Sequence, residues 1–302
     1  MSKRLPTKSS SQNVQDKSLF VSDIFSSIQG EGKNLGKPSL FLRLGICNLQ
    51  CTWCDTPYTW KKGQTDYKQQ TIESIFKKLL NLKKESNNER VRSLKPRTSL
   101  AKQPFLPPHG IQNLVITGGE PLLQQTSLTP LLQEIFRSKE FNQKEFKKTK
   151  TSKNITVEFE TNGSIPLLPA FKKAFKKQLE NGTISFNISP KLKDSGNKPY
   201  KLQLYPNSIL KFVYVDKNSE KLILDFLKKH QVEIAKNSKQ SRGALQKQHP
   251  LAKNPPVYIM AEGTTIKEME KKYSAILKFC MENGFQFTPR WHIYLFGNKR
   301  AT

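Results

Sequence analysis

The 302 residues carry 51 Lys+Arg against 24 Asp+Glu, a formal net charge of +27, with 35% apolar and 10% aromatic residues. That is enough chain for one large domain or at most two, and with no run of 18 apolar residues and no apolar stretch near Met1, neither a membrane span nor a secretory signal is expected. Four cysteines, three of them crowded between Cys47 and Cys54, cannot frame disulfides across so long a chain. The trio reads as a metal or cluster site in a reducing compartment, which places the protein in the cytoplasm.

Residues 1–18 read as a flexible basic tail ahead of a domain over 19–302. Apolar segments short enough for buried strands lie at 20–26, 40–44, 114–117, 155–160, 184–188, 209–215, 257–260 and 291–296. Between most of them run helical patterns. Ile72, Ile75, Phe76, Leu79 and Leu80 form one apolar stripe, and Ile266, Met269, Tyr273, Ile276, Leu277 and Cys280 form another, closed by the C-cap signal Asn283-Gly284. Shorter helices are expected around Leu131 to Phe136, Phe171 to Leu179, and Leu222 to Phe226. Strand-helix-strand repeats imply parallel strands with right-handed crossovers, in a barrel, a partial barrel or an open sheet. In each of these, ligands gather at the C-terminal ends of the strands.

Three stretches, 83–110, 138–153 and 228–254, hold +15 of the +27. They are rich in Lys, Ser, Asn and Gln and weakly periodic, and read as basic surface insertions. They lack the interleaved aromatics of a nucleic-acid stacking surface, which argues against a basic RNA-associated scaffold.

The cysteines follow a strand directly, spaced C-x3-C-x2-C: Cys47, Cys51 and Cys54. Three thiolates on one tight loop can each ligate an iron of a cubane, leaving the fourth iron without a protein ligand. Structural zinc needs a fourth Cys or His, but His109 sits in a basic stretch and Cys280 on a helix stripe, where it reads as core.

This loop resembles that of radical S-adenosylmethionine (SAM) enzymes. Ser27-Ile28-Gln29-Gly30-Glu31-Gly32, Phe41-Leu42-Arg43-Leu44 and Cys54-Asp55-Thr56 with Trp60 beyond are similar to the 7-carboxy-7-deazaguanine synthase family of the queuosine pathway. Thr117-Gly118-Gly119-Glu120-Pro121, Glu160-Thr161-Asn162-Gly163, Ser189-Pro190-Lys191 and Met260-Ala261-Glu262-Gly263 follow in order, with Ala261 where the family has proline. The resemblance spans most of the core from Val21 to about Gly297, with the three basic insertions falling outside it. A glycyl-radical activating enzyme shares the cysteine loop but not the Gln29, Arg43 and Thr56 constellation.

The resemblance implies a single-domain α/β fold, a partial (βα)6 barrel, and a lyase that converts 6-carboxy-5,6,7,8-tetrahydropterin to 7-carboxy-7-deazaguanine with loss of ammonia. It implies a 4Fe-4S cluster on Cys47, Cys51 and Cys54, SAM, Mg²⁺ held by Thr56, a reductant such as flavodoxin, and a homodimer. SAM is assigned to Trp53, Cys54, Asp55, Gly118, Gly119, Glu120, Ser189, Pro190, Lys191 and Glu262. Substrate is assigned to Ile28, Gln29, Gly30, Glu31, Arg43, Thr117, Glu160 and His292.

Some of these residues have a physical reading of their own. Gly118-Gly119 at a strand end permits close backbone approach, and Glu120 can accept from an ammonium. Arg43 in an apolar strand needs an anion, either a substrate carboxylate or an internal partner such as Glu31. Gln29 offers a bidentate amide edge. Thr56 is either a helix cap or a metal ligand. His292, read as alternating along a strand, shares a face with Tyr294 and Phe296.

Overall fold

A computed structural model describes residues 18–88, 111–143, 153–240 and 255–301. The expected tail, and most of each expected insertion, lie outside the described residues.

Nine strands form one sheet. In chain order they are β1 (Ser18–Ile28), β2 (Pro38–Leu44), β3 (Lys68–Thr71), β4 (Asn113–Gly118), β7 (Thr156–Thr161), β8 (Ile184–Ile188), β9 (Ser208–Tyr214), β10 (Val257–Ala261) and β11 (Gln286–Phe287), while β5 (Asn142–Gln143) and β6 (Lys153–Asn154) make a separate hairpin. The sheet order is β11-β10-β9-β8-β7-β4-β2-β1-β3. From β2 to β10 the strands are parallel and step across the sheet in chain order. This is the partial (βα)6 barrel, edged by the antiparallel pair β1 and β3.

Strand alternation sorts the side chains into two layers. Leu40, Leu42 and Leu44 of β2 are fully buried in the main core, as are Leu114 and Ile116 of β4, Val157 and Phe159 of β7, and Leu210 and Phe212 of β9. The helices Ile72–Asn88, Gln125–Arg137 and Ile266–Asn283 cover this face with Ile75, Leu79, Leu128, Leu131, Met269 and Ile276. The opposite face is lined with Phe25, Phe41, Arg43, Thr117, Glu160, Lys211 and Val213.

In β1 the alternation breaks once. Leu19 and Val21 face the main core, yet so does Ile24, because the register against β2 runs Val21↔Leu44 and then Asp23↔Arg43, leaving Ser22 as a bulge. The bulge sets Asp23 directly across from Arg43.

Residues 291–296 form a helix, Trp291–Phe296, and not the strand expected from their apolar run. A short apolar run is compatible with either element. Here the sheet ends at β11, the chain turns through Thr288-Pro289-Arg290, and only Ile293 is buried while Trp291, Leu295 and Phe296 stay partly exposed. His292 therefore sits on a helical turn rather than sharing a strand face with Tyr294 and Phe296.

The helices at two expected insertions also run further than their apolar stripes indicate, to Asn88 and to Gln240. Lys83, counted with the first basic stretch, is buried: its ammonium donates to Ile111 O at 2.5 Å and lies over the Phe141 ring. The helical pattern from Phe171 to Leu179 is two short helices, Pro169–Ala174 and Lys176–Glu180, broken at Phe175.

The helix Ile266–Asn283 starts with a full capping box: Thr265 Oγ1 accepts from Glu268 N at 3.3 Å, and Glu268 Oε2 accepts from Thr265 N at 3.1 Å. It ends at Gly284 with φ 67°, the left-handed C-cap that glycine favours. Thr265→Ala is expected to cost about 1 kcal/mol in a urea denaturation series.

Candidate active site

At the C-terminal ends of the parallel strands lies a cavity of about 610 Å³, lined by residues from β1 through to the segment after Trp291–Phe296. The cysteine loop leaves β2 through Gly45 and Ile46. Ile46 has φ 71°, a conformation that a β-branched residue reaches only when its surroundings impose it. They do so through hydrogen bonds: Ile46 N donates to Thr59 O at 2.7 Å, and Ile46 O accepts from Glu120 N at 2.9 Å.

The Gly118-Gly119 turn is butted against this loop. A Cβ on Gly118, itself at φ 131°, would overlap Leu44 O, and one on Gly119 would overlap Ile46 O. Both glycines are therefore required by close approach.

Cys47, Cys51 and Cys54 all line the cavity, and all are free thiols. Each sulfur accepts one N–H: Leu49 N to Cys47 Sγ at 3.4 Å, Asn197 Nδ2 to Cys51 Sγ at 3.1 Å, and Trp60 Nε1 to Cys54 Sγ at 3.2 Å. Burial pushes the Cys47 thiol up to about 11 and raises Cys51 as well, a cost to the thiolates that a bound cation would offset. Three sulfurs on one loop, each with a donor that would stabilise a thiolate, on a backbone held close to β4 by two glycines, fit an iron–sulfur cluster with one iron left open. Cys280 is buried in the main core, away from this loop.

Most residues assigned to SAM border the same space. Trp53, Asp55, Gly118, Gly119, Ser189, Lys191 and Glu262 line it, and Lys191 Nζ donates to Ser189 Oγ at 2.9 Å while lying 4.9 Å over the Trp53 ring. Pro190 is buried and does not line the cavity.

Glu120 does not line it either. Its fully buried carboxylate accepts from Leu122 N, Thr161 Oγ1 and Asn162 N, at 2.8 to 3.0 Å, and ties the end of β4 to the end of β7. Within the fold these bonds give it a structural role. Burial raises its pKa to about 7. Glu262 borders the cavity, but its carboxylate is held by Lys272 at 2.5 Å.

Around the substrate end, Ile28, Gln29, Gly30, Glu31, Arg43, Thr117, Glu160 and His292 all line the cavity. Gln29 is not a free amide edge, because its Nε2 donates to Glu158 Oε1 at 2.7 Å and Glu160 Oε1 at 3.1 Å. It spaces two carboxylates. Glu158 also takes amide donors from Asn34 and Asn187, and burial together with Glu160 raises it to about 7. Glu160 Oε2 accepts from Thr117 Oγ1 at 2.8 Å.

Glu31 is fixed by ion pairs with Lys211 and with Arg290 Nε at 3.1 Å, while His292 Nε2, which burial holds toward the neutral form, lies 3.8 Å away. Arg290 also bonds Asp55 and Gly263 O. Asp55 is accordingly an ion-pair partner that holds the cysteine loop. The close packing of Gly30 under His292, where a Cβ would come within 2.5 Å of Nδ1, sets the ring at the cavity wall.

Arg43 has no bond to Glu31. Its charge partner is Asp23, at 3.6 Å, and its buried Nε finds no hydrogen-bond partner among the described residues. Thr56 precedes the 3₁₀ helix Pro57–Thr59 at the N-cap position, yet its hydroxyl makes no capping bond and stands 3.7 Å from Cys54 Sγ.

Sequence reasoning missed Asn187, Lys211, Arg290 and Arg300, all of which border the cavity. A polar residue in an otherwise apolar strand, the signal that marked Arg43, was also present at Lys211 and, beside Ser185, at Asn187. Arg290 and Arg300 carry no such mark.

The profile of the radical SAM superfamily matches residues 43–192, which hold the cysteine loop, the Gly118-Gly119 turn and Ser189-Pro190-Lys191. The fold and the cysteine-lined cavity are thus those of a radical SAM enzyme, which carries a 4Fe-4S cluster and SAM. The 7-carboxy-7-deazaguanine synthase of Pyrobaculum aerophilum is 27% identical over 284 residues, covering 93% of this chain and 96% of that protein. That of Buchnera aphidicola subsp. Schizaphis graminum is 32% identical over 168 residues, or 55% of this chain and 68% of its own length. The crystal structure of QueE from Escherichia coli shares the fold with a TM-score of 0.52 at 16% identity, over 93% of this chain and 98% of that one. The chain belongs to the 7-carboxy-7-deazaguanine synthase family.

Replacing Cys47, Cys51 or Cys54 by Ala is expected to abolish cluster loading, measured as bound iron and sulfide after anaerobic reconstitution, whereas Cys280→Ala should load normally. Glu31→Gln should destabilise the fold by about 3–5 kcal/mol at neutral pH, because Lys211 and Arg290 lose a buried partner. Burial opposes ionisation of Glu31, but Lys211, Arg290 and His292 together hold its pKa well below the ordinary 4.5. Its stabilisation is therefore complete above 4.5 and lost on acidification, so wild type and Glu31→Gln should converge in denaturation midpoint as the pH falls below that value.

Proposed function

We propose that this cavity converts 6-carboxy-5,6,7,8-tetrahydropterin to 7-carboxy-7-deazaguanine and ammonia. The observation that carries the reading is Arg43, a cavity-lining guanidinium in an apolar strand whose Nε lacks a hydrogen bond, in the same cavity as the three cysteines. A buried donor left so is satisfied by an anion, and a ring carboxylate supplies one. Substrate and product differ by one ammonia, so the conversion is redox-neutral overall.

When bound, the cluster and SAM supply the one-electron chemistry that begins the reaction by removing a hydrogen atom from the pterin. The chain's own residues bind and orient. Arg43 takes the carboxylate. Glu160, held by Thr117 and Gln29, keeps acceptor capacity for the N–H groups of the pyrimidine ring. Phe25 and Phe41, stacked at 4.9 Å, wall the site with apolar surface. Lys191, Ser189 and the Gly118-Gly119 backbone line the SAM end.

The uncapped hydroxyl of Thr56 beside the cysteine loop is assigned to Mg²⁺, a hard cation that takes few protein ligands. A one-electron reductant such as flavodoxin, a homodimeric assembly and a cytoplasmic location complete the reading. No helix among the described residues is long and apolar enough to cross a membrane.

The test is anaerobic turnover of 6-carboxy-5,6,7,8-tetrahydropterin, following product and ammonia. Wild type should form both in equal amounts and be stimulated by Mg²⁺. Thr56→Ala should retain the cluster and the reductive cleavage of SAM but lose most of the magnesium stimulation. Absence of product from the reconstituted wild type would overturn the substrate, and equal stimulation of both proteins would remove the metal from Thr56.

A further inference from the structure

The bulge at Ser22 brings two arginines to one carboxylate. Asp23 lies directly across the β1–β2 ladder from Arg43, and its side chain is only 11% exposed. A carboxylate so buried requires a cation. Arg43 is the cross-strand neighbour, and an opposite-charge pair so placed can close to hydrogen-bond distance. This pair does not: Arg43 Nε stays 3.6 Å from Asp23 Oδ2 and makes no hydrogen bond.

Arg300 holds the carboxylate instead. Arg300 Nε donates to both oxygens of Asp23, at 2.9 and 3.1 Å. The rest of its guanidinium is used as well. Nη1 bonds Asp66 Oδ2 at 2.6 Å, Nη2 reaches Ser22 Oγ at 3.1 Å, and the planar group lies 4.3 Å over the Tyr58 ring. The bulge residue itself is fastened to the same loop, since Ser22 Oγ donates to Asp66 O at 2.9 Å. Arg300 thus plugs into the bulge from the rim of the cavity and is held there from β1 and from the loop that follows the cysteines.

We propose that Arg300 is a positioning residue for carboxylate recognition: it occupies Asp23 and thereby leaves Arg43 available to the carboxylate of the substrate. The inference rests on the assignment of Arg43 to that carboxylate. Without Arg300, Asp23 has Arg43 as its remaining cation, and a fork-to-fork pair between them uses the donors the ligand needs. Arg300 itself does not bind the ligand in this scheme; its effect passes wholly through Asp23.

The test measures binding of two fluorescent probes, 6-carboxypterin and unsubstituted pterin, to the reconstituted full-length protein in the presence of SAM. Arg300→Ala should weaken 6-carboxypterin on the order of tenfold, the scale of one charge-assisted hydrogen bond, and leave unsubstituted pterin within about twofold. In turnover, the same variant should raise KM and leave kcat nearly constant. The decisive variant is Arg300→Ala combined with Asp23→Asn, which removes the competitor for Arg43 and should restore 6-carboxypterin binding most of the way to wild type.

The proposal is overturned if Arg300→Ala binds 6-carboxypterin normally, or if it weakens both probes alike, as loosening of the cavity rim would. It is also overturned if the double variant binds no better than Arg300→Ala. Arg43→Ala separates the two levels of the reading: normal 6-carboxypterin binding by that variant removes the assignment of Arg43, whereas weak binding by Arg43→Ala with normal binding by Arg300→Ala removes only the role of Arg300.

Discussion

The cavity depends on a backbone contact that no side chain mediates. Leu44 O accepts from Gly119 N at 3.0 Å and Ile46 O accepts from Glu120 N at 2.9 Å, so the end of β4 is welded to the first residues of the cysteine loop. The weld forces Ile46 into the left-handed region, a cost of about 1–3 kcal/mol. It also excludes any Cβ from Gly118 and Gly119. The buried Glu120 carboxylate then carries the constraint onward to Thr161 and Asn162 at the end of β7. Three neighbouring strand ends are fixed relative to one another, and the cysteines are presented by a loop that cannot drift from the sheet.

Charge within the cavity divides into two kinds. Glu31, Lys211, Arg290 and Asp55 are mutually paired, and together they join the β1–β2 turn, β9, the cysteine loop and the segment before Trp291–Phe296. Such groups hold the walls in place. Breaking one would strand its partner in a poorly solvated site. Glu158 belongs with them although it is not paired with a cation: three amides satisfy it, and its pKa of about 7 reflects burial and the nearby Glu160. The second kind, Arg43 and Glu160, keep capacity toward the cavity, and these are the groups that suit a carboxylate at one end of a ligand and ring N–H donors at the other.

The parallel strands from 40–44 to 257–260, and β1 beside them, were legible in sequence because each is a short apolar run bounded by turns, whereas the polar β3 (Lys68–Thr71) was not, and the cysteine loop was because its spacing admits few alternatives. Residues 291–296 were not, since an unbroken apolar run has no period to separate helix from strand. The bulge at Ser22 left no mark either. It shifts parity in a segment, Phe20 to Ser26, where both faces are partly apolar, so Leu19, Val21 and Ile24 give the same pattern with or without an extra residue. The partners of Glu120 and Gln29 within the fold were not legible, because a motif fixes where a residue sits in the chain, while hydrogen bonds to Thr161, Asn162 and Glu158 come from segments far away in sequence.

Arg43 and Lys211 show how far such reasoning carries. Each is a lone cation in an otherwise apolar strand, and the same desolvation argument demands an anion for both. The fold answers the demand differently. Lys211 bonds Glu31 although Arg290 holds the same carboxylate, and its charge is neutralised within the protein. Arg43 faces Asp23, whose oxygens are already held by Arg300 from a position 277 residues away in sequence. The difference between the two cations is one of reach: Lys211 bonds its carboxylate directly, whereas Arg43 Nε stops 3.6 Å from Asp23, which Arg300 holds from a segment that neither strand contains.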